Sequence, residues 1–572
     1  MTKRRWVYSE QPGQESIEAL SKAINVNGSL ASLLIKRGIT DLQSAKNFFR
    51  PDRFMLHDPF LMKDMESAVN RLKQAVDKKE RILVYGDYDV DGTTSVAVVY
   101  GYLQGINADC LFYVPDRNKE GYGVSETGID WAISKHVQLI ISVDLGIKSS
   151  AMVLKAAEAG IDFIICDHHL PDEHIPSAVA VLDPKRPDCE YPYKELSGCG
   201  IGFKLIQGYA RRYADEEVVF SYLDLLAVSI SSDIVPLTGE NRILTFFGLK
   251  KLNEDPRPGL KALMERSGVM KALDVSSIVF TLGPRINAAG RVAHANGAVE
   301  LLISSDLQSA REHAGKVDVS NSERREFDLS ITEEALNMVS TDPQTAGKKS
   351  TVLYRETWHK GVIGIVASRV LDKYYKPTVI LTLSEGKITG SARSVEGFDL
   401  YGALDKCKDL LEKFGGHRYA AGLTMLPENF EAFRQRFEQV VAASVTAEML
   451  TPAITIDEVI SLEQVTWPFF RITEQMAPFG PQNLRPVFET RNLRPLGIPS
   501  LIKERHLKFR LPGSAEQRTF DAICFDRPDL FEMVSSGKPF NMAYTIEENT
   551  FNDVTSLQIR VRDIQPALSA DS

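Results

Sequence analysis

The stretch RILVYGDYDVDGTTSVAVVYGYLQG, residues 81–105, decides the fold. Its apolar run ILVYG stops at Asp87, and TTSVAVVYGYLQG then carries a helical pattern, so the segment reads as strand, turn and helix. Three carboxylates stand at alternate positions in the turn, Asp87, Asp89 and Asp91, and Gly92 closes the run. One aspartate there would read as a solvated turn or a helix N-cap. Three repel one another and call for a compensating cation, so the turn is expected to bind metal.

Outward from this segment the theme repeats. ADCLFYVPD, VQLIISVD, IDFIICD and AVAVLD are further short apolar runs, and helical segments such as SSAMVLKAAEAG separate several of them. Strands alternating with helices predict a doubly wound α/β domain with a mostly parallel sheet. The strand C-termini of such a sheet share one rim, where ligands bind. Asp144, at the end of VQLIISVD, and the triplet Asp167-His168-His169 should therefore converge on the DxDxDG turn. Carboxylates with one or two imidazoles suit Mn²⁺ or Mg²⁺, whereas structural zinc favours thiolates. A pair of such ions can activate water and stabilise the attacking and leaving oxygens at phosphorus.

Beyond this domain the texture changes. Residues 1–75 read as a helical segment, with SLASLLIKRGI and LQSAKNFFR at helical spacing. The α/β domain is assigned to 76–305, helical in its later part. Residues 306 to about 339 lack proline and carry few apolar positions, which suits a long, partly exposed connecting helix, assigned to 306–345. A second α/β domain follows at 346–447, where STVLYRE, GVIGIVASRVLDKY and PTVILTL restart the alternation. The remainder, 448–572, reads as short strands of a small β-barrel, with an OB-fold as a candidate. In that barrel Phe509, Phe520, Phe525 and Tyr544 lie near Lys508, Arg510, Arg527, Arg560 and Arg562, a pattern that can hold a single strand by stacking, although most such aromatics are core.

Composition bounds these readings. A chain of 572 residues exceeds one ordinary core, and 44% hydrophobic with 25% charged residues is that of an average soluble protein. The basic residues of MTKRRWVYSEQPGQES have no apolar stretch behind them, so no secretory signal is expected, and no run approaches the ~18 apolar residues of a membrane span. Six scattered cysteines without a CxxC pair argue against structural zinc and disulfides and fit a reducing cytoplasm. A net charge of −9 gives no bulk sign of nucleic-acid binding, which rests on local grooves.

At the acidic motifs the sequence resembles a known family. DxDxDG, the lone Asp144, Asp-His-His and SSDIVPL are similar to the four motifs of the DHH phosphoesterase superfamily. GPRINAAGRV (283–292), HKGVIGIVASRV (359–370), GSARS (390–394) and KFGGHRYAAGLTM (413–425) resemble the RecJ branch with its DHH-associated domain. APFGPQNLRPVFE (477–489) resembles the start of that branch's OB-fold and departs from it at Pro481-Gln482, where the pattern has glycine. The resemblance runs over roughly residues 50 to 565 in order. It implies two α/β lobes, a DHH domain and a DHH-associated domain, joined by a long helix and followed by an OB-like barrel.

The resemblance also implies an activity, a two-metal exonuclease acting on single-stranded DNA, 5′ to 3′, in repair and recombination. Its metal ligands would be Asp89, Asp91, Asp144, His168 and Asp233, with Asp144 bridging. Asp87 and His169 would orient ligands or the scissile phosphate, and His417 would contact that phosphate from the second lobe. Ser391 and Arg393 would hold the 5′ end. Arg117 in VPDR and Arg285 in GPRINAAGR are further candidate phosphate donors. A single-strand-binding protein and a helicase are the partners implied, for a monomer in the cytoplasm with no membrane attachment. Two other readings compete: a DHH phosphoesterase for short oligonucleotides or cyclic dinucleotides, whose members are shorter and lack the barrel, and a non-catalytic DNA-binding scaffold, against which the intact acidic motifs argue.

Overall fold

The structure is a computed structural model that describes residues 4–117 and 119–567. Contacts divide it into two compact units. One holds Lys46–Arg324 with Ala477–Leu484, and the other holds the rest of the chain.

The chain enters as a short strand, β1 (Arg5–Tyr8), before the helices Gln14–Ile24, Gly28–Ile35 and Leu42–Phe49. The expected helical segment thus begins in a strand. Its proposed end at residue 75 also falls inside the helix Met65–Lys78. Met65, Ala68, Val69, Leu72 and Ala75 form one apolar face of that helix, and burial of this face joins it to the core of the following α/β domain.

That domain is built on five strands: β2 (Ile82–Gly86), β3 (Cys110–Tyr113), β4 (Leu139–Val143), β5 (Asp162–Cys166) and β6 (Ala180–Leu182). All pair in parallel, in the order β3-β2-β4-β5-β6. β2, β4 and β6 are fully buried and mostly apolar because both faces of the sheet are covered. Ile82, Val84 and Ile141 pack with the helices Val90–Gly105 and Gly198–Tyr213, while Leu83, Tyr85 and Ile140 pack with Glu126–Ser134 and Ser150–Glu158. The long helix spans Leu307–Thr341, near the expected 306–345, and a five-residue helix, Pro343–Gly347, follows it.

The second unit carries a five-stranded sheet of β7 (Thr351–Tyr354), β8 (Thr378–Ser384), β9 (Lys387–Arg393), β10 (Lys413–His417) and β11 (Ala420–Met425), in the order β10-β11-β9-β8-β7. Only β7 and β8 run parallel. Next come β12 (Ala453–Ile456), which pairs in parallel with β1, and a seven-stranded sheet of β13 (Glu458–Val459), β14 (Phe488–Leu493), β15 (Leu496–Ile502), β16 (His506–Pro512), β17 (Thr519–Cys524), β18 (Phe540–Phe551) and β19 (Val554–Pro566). Its order is β13-β14-β18-β19-β17-β16-β15, so among the described residues the pairing stays open between β13 and β15. Phe509, Phe520 and Tyr544 are its core, whereas Phe525 is 44% exposed. Among the described residues no helix is long and apolar enough to cross a membrane.

Candidate metal centre

The parallel register of the first sheet lines up four aspartates. Gly86 pairs with Val143, Val143 with Cys166, and Cys166 with Leu182. The next residue of each strand is Asp87, Asp144, Asp167 or Asp183, and all four are buried. Two unit charges about 4 Å apart repel by about 4 kcal/mol at an effective dielectric of about 20. A row of ionised carboxylates therefore needs protons, hydrogen bonds or cations.

Two members of the row are handled by the protein itself. Asp167 accepts the amides of Ile147 (2.9 Å) and His168 (2.7 Å) and faces His169 Nδ1 at 2.7 Å. Burial pushes its carboxyl up, but the His169 hydrogen bond and charge overcome that and hold it below the usual range. Asp183 is pushed up to about 7, chiefly by burial. Asp87 and Asp144 lie well above the usual carboxylate range, through burial first and then through neighbouring carboxylates, Asp89 for Asp87 and Asp91 for Asp144.

Other elements add ligands to this rim. Asp89 caps the helix Val90–Gly105 by accepting the Gly92 amide at 3.0 Å. Asp91, in the first turn of that helix, is held by three donors: Gly198 N (2.7 Å), Cys199 N (3.0 Å) and Ser229 Oγ (2.6 Å). Asp233 ends the helix Leu223–Ser232, and burial followed by the charge of Asp91 raises its carboxyl. His168 Nε2 lies 3.2 Å from Asp144 Oδ1, 3.7 Å from Asp233 Oδ2 and 3.8 Å from Asp91 Oδ2. Burial lowers the His168 imidazole to about 4, which leaves it neutral and able to ligate.

These atoms fall into three groups, each within 4.8 Å: Asp87, Asp89 and Asp144; Asp91, His168 and Asp233; and Asp144, His168 and His169. Asp144 and His168 each belong to two of them. Buried Asp144 Oδ1, Asp233 Oδ2 and His168 Nδ1 have no hydrogen-bond partner, an arrangement rare in folded chains. Orphaned carboxylate oxygens facing an imidazole are the donor set of Mn²⁺ or Mg²⁺, so these residues fit such ions.

Three family models match the chain in order: the DHH family N-terminal domain at 81–230, the DHHA1 domain at 347–443 and the RecJ OB domain at 456–563. The single-stranded-DNA-specific exonuclease RecJ of Bacillus subtilis is 35% identical over 98% of this chain and 71% of its own length. That of Escherichia coli is 33% identical over 94% of this chain and 96% of its own. The chain belongs to the RecJ family. A crystal structure of RecJ in complex with Mn²⁺ from Thermus thermophilus superposes with a TM-score of 0.84 at 27% identity, covering 99% of this chain and 80% of that one. The Mg²⁺ complex from the same organism gives 0.77 at 26% identity, covering 99% and 79%.

In this RecJ-family chain the structure brings Asp89, Asp91, Asp144, His168 and Asp233 together and sets Asp87 and His169 at the same rim. Arg117 lies 5.0 Å over the Tyr88 ring, and its charge acts on Asp87 and Asp89. Arg285 is engaged within its own unit, donating to Thr281 O (2.8 Å) and Asp318 Oδ1 (3.2 Å). Ser391, Arg393 and His417 belong to the other RecJ unit. There Arg393 donates to Ser391 Oγ at 2.9 Å, beside Gly364 in the first turn of the helix Ile363–Tyr374, an end that favours anions. His417 is exposed on β10, at the end of its sheet.

Sequence reasoning missed two residues of this RecJ-family site. Gly198 starts the helix whose amides hold Asp91, and a Cβ there would stand 2.5 Å from Asp144 Oδ1. Gly198 is one of three alternating glycines in SGCGIGF, and nothing local shows that it meets Asp144, 54 positions away. Asp183 did give one, since AVAVLD ends on aspartate as its sister strands do.

Proposed function

We infer that this RecJ-family chain is a metal-dependent exonuclease that hydrolyses phosphodiester bonds of single-stranded DNA. One observation carries the reading: buried, mutually repelling carboxylates, two of them with orphaned oxygens, face a neutral imidazole at the sheet rim. Neither short-oligonucleotide chemistry nor a scaffold without catalysis accounts for both that site and the family match along the whole chain.

In this reading Asp89, Asp91, Asp144, His168 and Asp233 would hold a pair of Mn²⁺ or Mg²⁺ ions, and Asp87, grouped with Asp89 and Asp144, would orient those ligands or the scissile phosphate. When bound, such ions neutralise charge at the phosphate and activate the attacking water. The three donors on Asp91 fix its carboxylate before substrate arrives. Asp167 orients His169 through its 2.7 Å contact with Nδ1; burial pulls that imidazole down, but the Asp167 hydrogen bond and charge raise it above its ordinary value, and the ring faces a phosphate oxygen in this reading. Arg117 neutralises the backbone near the cluster, Arg285 is a further phosphate donor, His417 contacts the scissile phosphate, and Ser391 with Arg393 receives the 5′ end.

The direction is 5′ to 3′, in DNA repair and recombination. The partners are a single-strand-binding protein and a helicase, and the enzyme works as a cytoplasmic monomer. The test is digestion of single- and double-stranded DNA labelled at either end, with Mn²⁺, Mg²⁺ or chelator. Nucleotide release from the 5′ end of single strands, only with metal, is expected. Release from the 3′ end first would overturn the direction, and equal cleavage of duplex would overturn the substrate.

A further inference from the structure

Asp91 and Asp233 face the same imidazole but are held in different ways. Asp91 has three hydrogen-bond donors, whereas Asp233 Oδ2 has none and depends on its backbone for placement. That backbone is strained: Ile234, the next residue, is β-branched and sits at φ 60°, a left-handed conformation that surrounding contacts must impose.

The contacts come from far along the chain. The buried Leu237 amide donates to Pro481 O at 2.8 Å. A Cβ on Gly480 would overlap Leu237 Cδ1, so the two segments are closely packed. Arg242 donates to Ala477 O at 2.8 Å and to Phe48 O at 2.7 Å, with its guanidinium 3.8 Å over the Phe48 ring. Ala477–Leu484 keeps its own shape: Gly480 and Asn483 exchange backbone hydrogen bonds of 3.0 and 2.9 Å, and Asn483 Nδ2 donates to Pro478 O at 2.8 Å. Gln482 takes φ 59°, a left-handed conformation that the surrounding hydrogen bonds must hold.

We propose that Ala477–Leu484, anchored through Gly480 and Arg242, is a positioning element that clamps the 234–238 loop and thereby sets Asp233 in the metal centre. This rests on reading Asp233 as a ligand. The segment acts on metal affinity and leaves substrate contact to other residues.

The experiment is Mn²⁺ titration of the full chain by electron paramagnetic resonance, alongside kcat, KM and Tm. Gly480→Ala and Arg242→Met should bind Mn²⁺ roughly 10-fold more weakly, the scale of losing a ligand's support. In both, kcat should fall with KM for the oligonucleotide unchanged, and excess Mn²⁺ should restore the rate. Arg242→Lys should recover part of the affinity by donating to one carbonyl. Gly208→Ala is the control, since its Cβ would press only on Val69 and Met65, so it should lower Tm and leave Mn²⁺ affinity alone. Should Gly480→Ala fail to fold, Arg242→Met decides. Unchanged Mn²⁺ affinity in folded Arg242→Met, or equal weakening in Gly208→Ala, overturns the proposal. Unchanged affinity in Asp233→Asn overturns the ligand reading and the proposal with it.

Discussion

Asp144 Oδ1 and His168 Nε2 stand 3.2 Å apart at the ends of adjacent strands, yet the Asp144 oxygen takes no hydrogen bond. An ionised buried carboxylate in that state lowers stability unless a cation or a proton neutralises it. Asp144→Asn is therefore expected to cut hydrolysis at least roughly 100-fold. It should raise Tm in chelator, because a repelling charge is gone, and lower Tm in Mn²⁺. Thermal melts of both proteins in both conditions check this, and a lower Tm in chelator would contradict it.

The same repulsion sets a pH dependence. Asp87, Asp144 and Asp233 titrate above their unfolded values, through burial and neighbouring carboxylates. A carboxyl raised on folding contributes stability that is present below its unfolded pKa and lost as pH rises through the folded one. The metal-free protein therefore loses that contribution on going from acid to neutral pH, while bound metal displaces the protons. The Tm increase given by Mn²⁺ should grow from pH 5 to pH 8. A constant increase would show that the carboxyls are already ionised without metal.

Gly198→Ala should disturb the centre without adding or removing a charge. The new Cβ would approach Asp144 Oδ1 to 2.5 Å and Asp144 Cα to 2.8 Å. Weaker Mn²⁺ binding, by roughly 10-fold or more, is the expected outcome in a titration. Wild-type affinity would mean that the helix start yields easily.

Arg393 is expected to read the 5′ phosphate. A charge-assisted hydrogen bond contributes about 1.5–3 kcal/mol, so Arg393→Ala should remove a preference of roughly 10- to 100-fold for 5′-phosphorylated over 5′-hydroxyl strands. Comparison of kcat/KM on the two substrates checks it. A retained preference would place the 5′ end elsewhere.

In the C-terminal sheet the exposed Phe525 has the Arg560 guanidinium 5.2 Å over its ring. Stacking one base there is worth about 1–3 kcal/mol, so Phe525→Ala should raise KM for long strands and spare kcat. Phe520→Ala, at a fully buried position, should instead cost about 3–5 kcal/mol of stability. A kcat loss without a KM change in Phe525→Ala would remove that ring from the DNA path.

The acidic rim was legible because its logic is local. Each of Asp87, Asp144 and Asp167 follows an apolar run, and a parallel sheet carries such ends to one edge. Contacts between distant segments were not legible. RWVY becomes β1 only through pairing with Ala453–Ile456, and a four-residue run has no periodicity to announce it. The apolar face of the helix Met65–Lys78 does not say by itself which core covers it. The motif offered Arg285 as a phosphate donor but could not show its ion pair with Asp318 on the long helix, at 3.2 Å. Alternation placed aromatics in the barrel, and only the packed sheet separates buried Phe509, Phe520 and Tyr544 from exposed Phe525.

The central claim is that one pair of divalent ions sits on the aspartates and histidine of the sheet rim. Anomalous scattering from crystals of the full chain soaked in Mn²⁺ tests it most directly. Two peaks bounded by Asp87, Asp89, Asp91, Asp144, His168 and Asp233, both lost in Asp144→Asn, are the expected result. Peaks elsewhere, or none at this cluster in a protein that still degrades single-stranded DNA, would contradict the account.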